Sequence, residues 1–276
     1  MLFLLKTTAF FIGAILICIN IAGFFIPLKN PDIYQENKTG FRDDTTLSSK
    51  EAFALLESLD KADKKEYVTR VNDIFNRSIA HYWEDEGIKK YNISIPFHEN
   101  WILASLQYVL PSIYKHYEFC NYKKALERGV GLCSQHAVAL VDFLSQNNIE
   151  ARTIGLDGHV VATAEVKNNE WWVLDADYGV VIPYNITRLQ MSPDIIKQYY
   201  SGKGMQINTT VIENIAEIYG SEGNIIYPKA DIGHVGYIDC NWKKVIIEHV
   251  SYILKWLIPI LLIIPFLYLI FRKFHV

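Results

Sequence analysis

Three separate stretches of the chain carry side chains that together can perform nucleophilic chemistry. Cys133 lies in GVGLCSQHA, His159 lies in GHVVATAEV, and Asp175 and Asp177 lie in EWWVLDADYG. A thiol is a useful nucleophile only as the thiolate, an imidazole can accept its proton, and a carboxylate can fix the tautomer and orientation of that imidazole. The combination predicts acyl chemistry at a cysteine, with no metal or other cofactor required.

The position of Cys133 favours an anionic sulfur. After the loop at residues 129–131, apolar side chains recur at helical spacing up to Leu144, so Cys133 is predicted to begin a helix. The exposed amides at a helix N-terminus stabilise an anion through the macrodipole. The backbone N–H of Cys133 is also one expected donor to a developing oxyanion, and the sequence does not identify a second donor.

These motifs resemble the transglutaminase-like superfamily, whose papain-related core places a cysteine at the start of a helix and a histidine and an aspartate on neighbouring strands. The likeness covers residues 129–183, about a fifth of the chain, and rests on three motifs in the family's order at compatible spacing. It implies that Cys133 is the nucleophile, His159 the base and Asp175 the carboxylate that orients His159. It also implies a peptide or protein substrate. The sequence departs from the family at Ala176, where proline is common.

The choice between the two aspartates depends on strand register. If residues 168–169 formed a strict two-residue turn, both carboxylates would point to the face of the sheet away from His159. An odd-membered loop or a bulge restores the parity, and a loop of residues 167–169 places Asp177 directly across from His159. The register therefore favours Asp177, whereas the resemblance favours Asp175. We predict Asp175.

Non-catalytic interpretations of the same residues stay open. A lone cysteine at apolar spacing is more often an inert core residue, but the histidine and aspartate motifs favour a catalytic Cys133. His136 follows it as Cys-x-x-His, yet the chain has no second ligand pair at zinc-like spacing. Two alternatives to an enzyme are a transglutaminase-like fold kept as a binding module and an accessory subunit of a membrane complex.

The middle of the chain has the pattern of a mixed α+β domain. The expected core is papain/transglutaminase-like, with the cysteine-bearing helix packed on a small antiparallel sheet, additional helices around it, and two transmembrane helices flanking the domain. Besides the Cys133 helix, the patterns predict helices over residues 48–56, 63–83, 100–110, 195–200 and 210–219, and strands over residues 151–156, 159–166 and 171–176.

Both ends of the chain are apolar enough to cross a bilayer. Residues 7–28 carry no charge and residues 250–271 carry only Lys255, and each stretch is long enough to cross the roughly 30 Å apolar slab as a helix. A cleavable signal peptide and a buried core helix are the alternatives, and we predict two uncleaved spans. The basic residues of the two tails indicate that both termini are cytoplasmic and that the domain between them is extracytoplasmic.

The predicted division of the chain follows from these patterns. It consists of an N-terminal anchor over residues 1–28, a polar tether over 29–47, a transglutaminase-like domain over 48–249 with its core at 129–183, a C-terminal transmembrane helix over 250–271, and a basic tail over 272–276.

The composition of the chain limits which classes of binding partner and which type of scaffold it can have. With 27 basic and 30 acidic side chains and a formal net charge of −3, the chain does not have the basic surface of a nucleic-acid binder. Four cysteines are too few for a disulfide scaffold. Cys120 and Cys240 either pair in an oxidising compartment or remain as two buried thiols. The sequence says nothing about the oligomeric state.

Overall fold

A computed structural model describes residues 2–30, 32, 45–82, 85, 87–192, 194–202, 209–227, 240 and 242–274. Most of the tether predicted at residues 29–47 and the last two residues of the basic tail lie outside the described residues. The chain divides into two compact units. The sheet unit comprises Lys29–Ile93 and Glu118–Val245, and the helical unit comprises Met1–Leu28, Ser94–Tyr117 and Ile246–Val276.

Helices and strands alternate irregularly along the described chain. In chain order they are α1 (Leu2–Ala22), α2 (Ser49–Ser58), α3 (Lys64–Asn76), β1 (Ala80–His81), α4 (Gly87–Lys90), α5 (Phe97–Val109), α6 (Pro111–Tyr114), α7 (Tyr122–Arg128), β2 (Val130–Gly131), α8 (Cys133–Gln146), β3 (Ala151–Leu156), β4 (His159–Lys167), β5 (Glu170–Asp175), β6 (Val180–Ile182), α9 (Ile186–Met191), α10 (Asp194–Ser201), α11 (Thr209–Gly220), β7 (Ile225–Tyr227) and α12 (Trp242–Phe274).

A five-stranded antiparallel sheet forms the centre of the sheet unit, in the order β6-β5-β4-β3-β7. Helix α8 packs on β4 and β3, and its apolar stripe includes Ala137, Leu140 and Leu144, all buried. The predicted combination of mixed helices and a small antiparallel sheet is therefore confirmed. The cysteine-bearing helix lies on that sheet, as expected.

The register between β4 and β5 determines which side chains share a face of the sheet. Glu165 pairs with Trp171 but Lys167 pairs with Glu170, so β4 has one extra residue at Val166. This β-bulge restores the parity that a strict two-residue turn would have broken. Continuing the register places residue 161 opposite Asp175, which makes His159 a diagonal neighbour of Asp175 on the same face.

Helix α3 ends earlier than its apolar stripe predicts. The sequence predicted a helix through Trp83, but α3 ends at Asn76, and the N–H of Arg77 closes its last turn on the carbonyls of Asp73 and Phe75. The chain then forms β1, which pairs in parallel with β2 and places His81 beside Gly131. Pairing with a distant strand overrides the helical continuation here.

A disulfide joins Cys120 to Cys240 within the sheet unit. The two residues are 120 positions apart, so the bond closes a loop that contains α8 and the strands β3 to β7. In the chain-entropy description, a loop of this length stabilises the folded state by about 4 to 5 kcal/mol. Of the two states that the sequence allowed for these cysteines, the structure has the paired one.

The helical unit holds two long apolar helices that are mostly exposed. In the 18-residue apolar windows of Phe3–Ala22 and Trp242–Phe271, only 11% and 6% of the residues are buried inside the structure, which a core helix of a water-soluble protein would not show. They are candidate membrane spans, in agreement with the two predicted apolar ends. Gly13 of α1 packs against α12. A Cβ added at Gly13 would come within 2.7 Å of the carbonyl oxygen of Pro259, so a small residue is needed for the two helices to pack.

Pro259 leaves one backbone carbonyl of α12 without its helical donor, because proline has no N–H to give to the carbonyl four residues earlier. That carbonyl belongs to Lys255. It accepts hydrogen bonds from Asn20 Nδ2 at 2.6 Å and from Trp101 Nε1 at 3.3 Å. Side chains of α1 and α5 thus replace the missing donor, which is how a proline is tolerated within an apolar helix.

Candidate active site

Cys133 is the first residue of α8, as its spacing predicted. The preceding Leu132 occupies the N-cap position in an extended conformation, and its aliphatic side chain cannot accept the hydrogen bonds that a serine or aspartate cap would take. No side chain at the cap position therefore competes for the amides of the first turn, at which Cys133 lies.

His159 connects the sulfur to a carboxylate. It is the first residue of β4, Asp175 is the last residue of β5, and His159 Nε2 lies 2.8 Å from Asp175 Oδ2. A ring nitrogen of His159 and the Cys133 sulfur lie within 4.8 Å of each other, and the nearby sulfur helps to raise the pKa of His159. All three residues predicted as the catalytic set thus converge, with His159 between Cys133 and Asp175.

The surroundings of His159 stabilise its positive charge. Burial disfavours the imidazolium, but the charge and the hydrogen bond of Asp175, together with the contact to Cys133, outweigh burial and hold the pKa of His159 well above its usual value. The ring of Tyr178 packs edge-on against the imidazole, with ring centroids 5.5 Å apart. His159 is therefore able to keep a proton taken from the thiol at neutral pH.

Asp175 is fully buried and accepts four hydrogen bonds. Its Oδ1 accepts from the backbone N–H groups of Asp177 at 3.0 Å and of Tyr178 at 3.1 Å, within the turn that follows β5. Its Oδ2 accepts from His159 and from the Tyr200 hydroxyl, the latter at 2.5 Å. Such a set of donors compensates the buried carboxylate for the loss of water and fixes its orientation.

The phenol that reaches Asp175 is itself supported by a second phenol. Tyr219 Oη lies 3.2 Å from Tyr200 Oη, and both side chains are fully buried. Since Tyr200 donates its proton to Asp175, the Tyr219 hydroxyl is the donor to Tyr200. Burial and the Asp175 charge raise the pKa of both hydroxyls well above the usual value. Sequence analysis did not find this pair, because the two tyrosines come from helices α10 and α11 and no motif links them to the triad.

Removing the Tyr200 hydroxyl should destabilise the sheet unit. We expect Tyr200→Phe to lower the free energy of unfolding by about 1.5 to 3 kcal/mol, because a buried carboxylate loses a charge-assisted donor. Tyr219→Phe is the matched control and should lower it by only about 0.5 to 1.5 kcal/mol, because it removes a bond between two neutral groups. Denaturant unfolding of the purified full-length chain measures both values, and equal losses would contradict the proposed direction of the hydrogen bonds.

Asp177, the other aspartate of the motif, has different partners. Its Oδ1 lies 2.9 Å from His81 Nδ1 and 3.9 Å from His136 Nδ1. The sequence placed His81 inside a helix and so gave no sign of this contact. Asp175 is thus the carboxylate at hydrogen-bond distance from His159, and Asp177 lies at that distance from His81, although the register of the two strands alone favoured Asp177.

His136 is a buried histidine whose two ring nitrogens both face carbonyl oxygens. Nδ1 lies 2.9 Å from the oxygen of Leu132, and Nε2 lies 2.8 Å from that of Ile79. Both nitrogens are therefore occupied by protein oxygens. This use of both nitrogens leaves neither for a metal ion, which argues against the Cys-x-x-His metal alternative.

A different set of donor atoms is spaced closely enough for a metal ion. One atom each of Cys133, His159 and Asp177 lies within 4.8 Å of the other two, and a thiolate, an imidazole and a carboxylate are all donors that zinc accepts. The cluster can therefore either activate a thiolate or hold a divalent cation. Alkylation of Cys133 with and without a chelator distinguishes the two.

No family model, no curated protein and no solved structure matches this chain. The likeness to the transglutaminase-like superfamily therefore rests on the three sequence motifs and on the Cys-His-Asp cluster that they form. The class that the structure itself defines is a mixed helix and sheet protein with two candidate membrane helices and a thiol–imidazole–carboxylate cluster.

Proposed function

We propose that this chain is a membrane-anchored, transglutaminase-like cysteine enzyme that cleaves or transfers an amide or acyl group on peptides or proteins through a thioester. The observation that carries the proposal is the convergence of three groups: the Cys133 sulfur lies within 4.8 Å of a ring nitrogen of His159, and the same imidazole is hydrogen-bonded to the buried carboxylate of Asp175. This is the order of nucleophile, base and orienting acid that such chemistry needs.

The reaction follows from the roles of the three residues. Cys133 gives its proton to His159, and the thiolate attacks the carbonyl carbon of the substrate. The bond to the leaving group breaks as His159 returns the proton to it, which leaves a thioester on Cys133. Water or an amine then attacks the thioester and gives a proton to His159, and the thiolate is released. Water gives hydrolysis, whereas an amine gives transfer or cross-linking.

The disulfide supports an extracytoplasmic position for the sheet unit. Such bonds persist in oxidising compartments and are rare where thiols are kept reduced, and Cys120 and Cys240 are paired. Two spans place both termini on the same side of the membrane, which in this proposal is the cytoplasmic side. The substrate would then be a peptide or protein at the cell surface or in the cell envelope.

The rate of alkylation of Cys133 tests the proposal. A free thiol with a pKa of about 8.5 is only about 0.1% ionised at pH 5.5, and its ionised fraction rises roughly 100-fold by pH 7.5. We expect iodoacetamide to modify Cys133 at least about 10-fold faster than glutathione at pH 5.5, with little change up to pH 7.5. The sign follows from the raised pKa of His159, whose positive charge beside the sulfur is lost only as the pH rises through that value.

The experiment uses the full chain in detergent, with Cys18→Ser to remove the other free thiol and peptide mass spectrometry to locate the label. Cys133→Ala is the blank. A rate that rises tenfold per pH unit, as for glutathione, would support the inactive binding module instead. Labelling that occurs only after a chelator is added would show that a metal ion occupies the cluster.

The acyl-enzyme itself provides a second test. An activated peptide ester should add its acyl mass to the wild-type chain, and neutral hydroxylamine should remove it, because thioesters are cleaved by that reagent. Fast alkylation without any acyl adduct would mean that the thiolate is activated but that the site does not admit peptides.

A further inference from the structure

An uncharged stretch in the middle of the chain belongs to the helical unit. Residues 100–114, NWILASLQYVLPSIY, lie between Glu99 and Lys115 and contain no charged side chain. An apolar run of about 10 to 14 residues is too short to cross a bilayer, so it is either a buried core helix or a segment at the membrane interface. The burial of its side chains distinguishes these two cases.

The second half of this stretch is exposed. We call residues 108–113, at the junction of α5 and α6, the α5–α6 tip, and all six of them are exposed. Tyr108 and Val109 are 72% and 73% exposed, and Leu110 and Ile113 are 45% and 40% exposed. A run of neighbouring apolar side chains outside the core marks an interaction surface.

Hydrogen bonds fasten the beginning of α5 to α12. Asn100 Nδ2 donates to Ser251 Oγ at 2.9 Å, and Tyr252 Oη donates to Glu99 Oε1 at 2.6 Å. Lys255 Nζ donates to the carbonyl oxygen of Glu99 at 2.6 Å. Four of these residues, Glu99, Asn100, Ser251 and Lys255, are buried, and an unsatisfied polar atom there would be costly. The beginning of α5 is thus fixed beside residues 251–255 of α12.

Residues 251–255 lie at the start of the apolar part of α12. Lys255 is the last charged residue before residues 256–271, which are uncharged. Helix α5 also packs along α1, and the Gly23 that follows α1 lies so close to the carbonyl of His98 that any side chain there would clash. The start of α5 therefore lies beside both candidate spans near one end of each, which is where an interfacial element is expected.

We propose that the α5–α6 tip inserts into the lipid bilayer at the boundary between headgroups and acyl chains, as a third contact of this chain with the membrane. The occupant of the exposed face is lipid, because the tip belongs to the same compact unit as α1 and α12, whose apolar side chains are exposed as well. Its composition fits: a tyrosine beside valine, leucine and isoleucine, with lysine and histidine following at residues 115–116.

Site-directed fluorescence tests the insertion. In a Cys18→Ser, Cys133→Ala chain with the disulfide intact, Tyr108→Cys is labelled with an environment-sensitive fluorophore and the protein is reconstituted into phosphatidylcholine vesicles. The matched control is Leu55→Cys, because Leu55 is an apolar residue of the sheet unit that is 38% exposed. We expect nitroxide lipids to quench the label at position 108 at least about threefold more than the label at position 55, with the reverse order for aqueous iodide.

Two outcomes would overturn the proposal. Equal quenching by iodide at both positions would place the tip in water, and protection of position 108 from both quenchers would show that a protein surface, such as a second copy of the chain, covers it. Ile113→Cys repeats the measurement on the other side of the tip in case Tyr108→Cys does not fold. The background lacks Cys133, so the result does not depend on the proposed enzymatic function.

Discussion

Replacing His159 by alanine should slow the alkylation of Cys133 at pH 5.5 by about 50-fold. Without the imidazolium beside it, the sulfur behaves as a free thiol, which is only about 0.1% ionised at this pH. A thiolate that is stable at pH 5.5 is roughly 20-fold less nucleophilic than the thiolate of a free thiol, so the thousandfold loss of ionised sulfur is partly offset. The measurement is the second-order rate constant for iodoacetamide, with the pH varied from 5.5 to 8.5.

The matched control for this variant is His249→Ala, which removes an exposed histidine of α12. It should leave the rate at wild-type level. If His159→Ala also left the rate unchanged, the ionisation of Cys133 would not depend on the imidazole, and the proposed division of roles would be wrong.

Asp175→Asn should have the second large effect. The Asp175 charge and hydrogen bond hold the pKa of His159 up against burial. In a plot of the Cys133 alkylation rate against pH, their loss should move the acid limb, where the rate falls as the pH is lowered, to higher pH by about one to three units. The four donors around Asp175 would also face a neutral acceptor, which should lower the free energy of unfolding by roughly 3 kcal/mol. Rate profiles and denaturant unfolding measure the two effects separately.

Asp177→Asn is the control that tests the assignment of the two aspartates. Asp177 carries a negative charge within 4.8 Å of the Cys133 sulfur and pairs with His81 rather than with His159. Removing that charge relieves its repulsion of the thiolate, so the acid limb should stay in place or move to lower pH. If instead Asp177→Asn moved the limb upward and Asp175→Asn did not, Asp177 would be the residue that orients His159.

The sequence predicted the elements that carry the triad because each has a local cause. Apolar spacing and the preceding glycine loop placed Cys133 at the start of α8, and runs of β-formers placed His159 and Asp175 on adjoining strands. The bulge at Val166 was one of several ways to restore the parity of the strands. It could not be deduced, because a bulge depends on pairing across the hairpin and has no residue signature of its own.

The parts of the site that the sequence did not predict are held by long-range contacts. His81 reaches Asp177 because β1 pairs with β2, about fifty residues further along the chain, and this pairing ended the helix that the apolar stripe had extended to Trp83. Tyr200 reaches Asp175 because α10 folds back over the sheet. In both cases the two residues in contact are distant in sequence, so no local sequence pattern predicts the contact.

The sulfur atoms of this chain have opposite redox requirements. Cys133 must be a free thiol for the proposed chemistry, while Cys120 and Cys240 are oxidised to each other, and Cys133 and Cys240 both pack against Ala137, Val138 and Val160. A reductant that keeps the nucleophile active therefore also opposes the crosslink of the surrounding domain. Activity titrated against dithiothreitol should accordingly pass through a maximum, with the descending side following cleavage of the 120-residue loop.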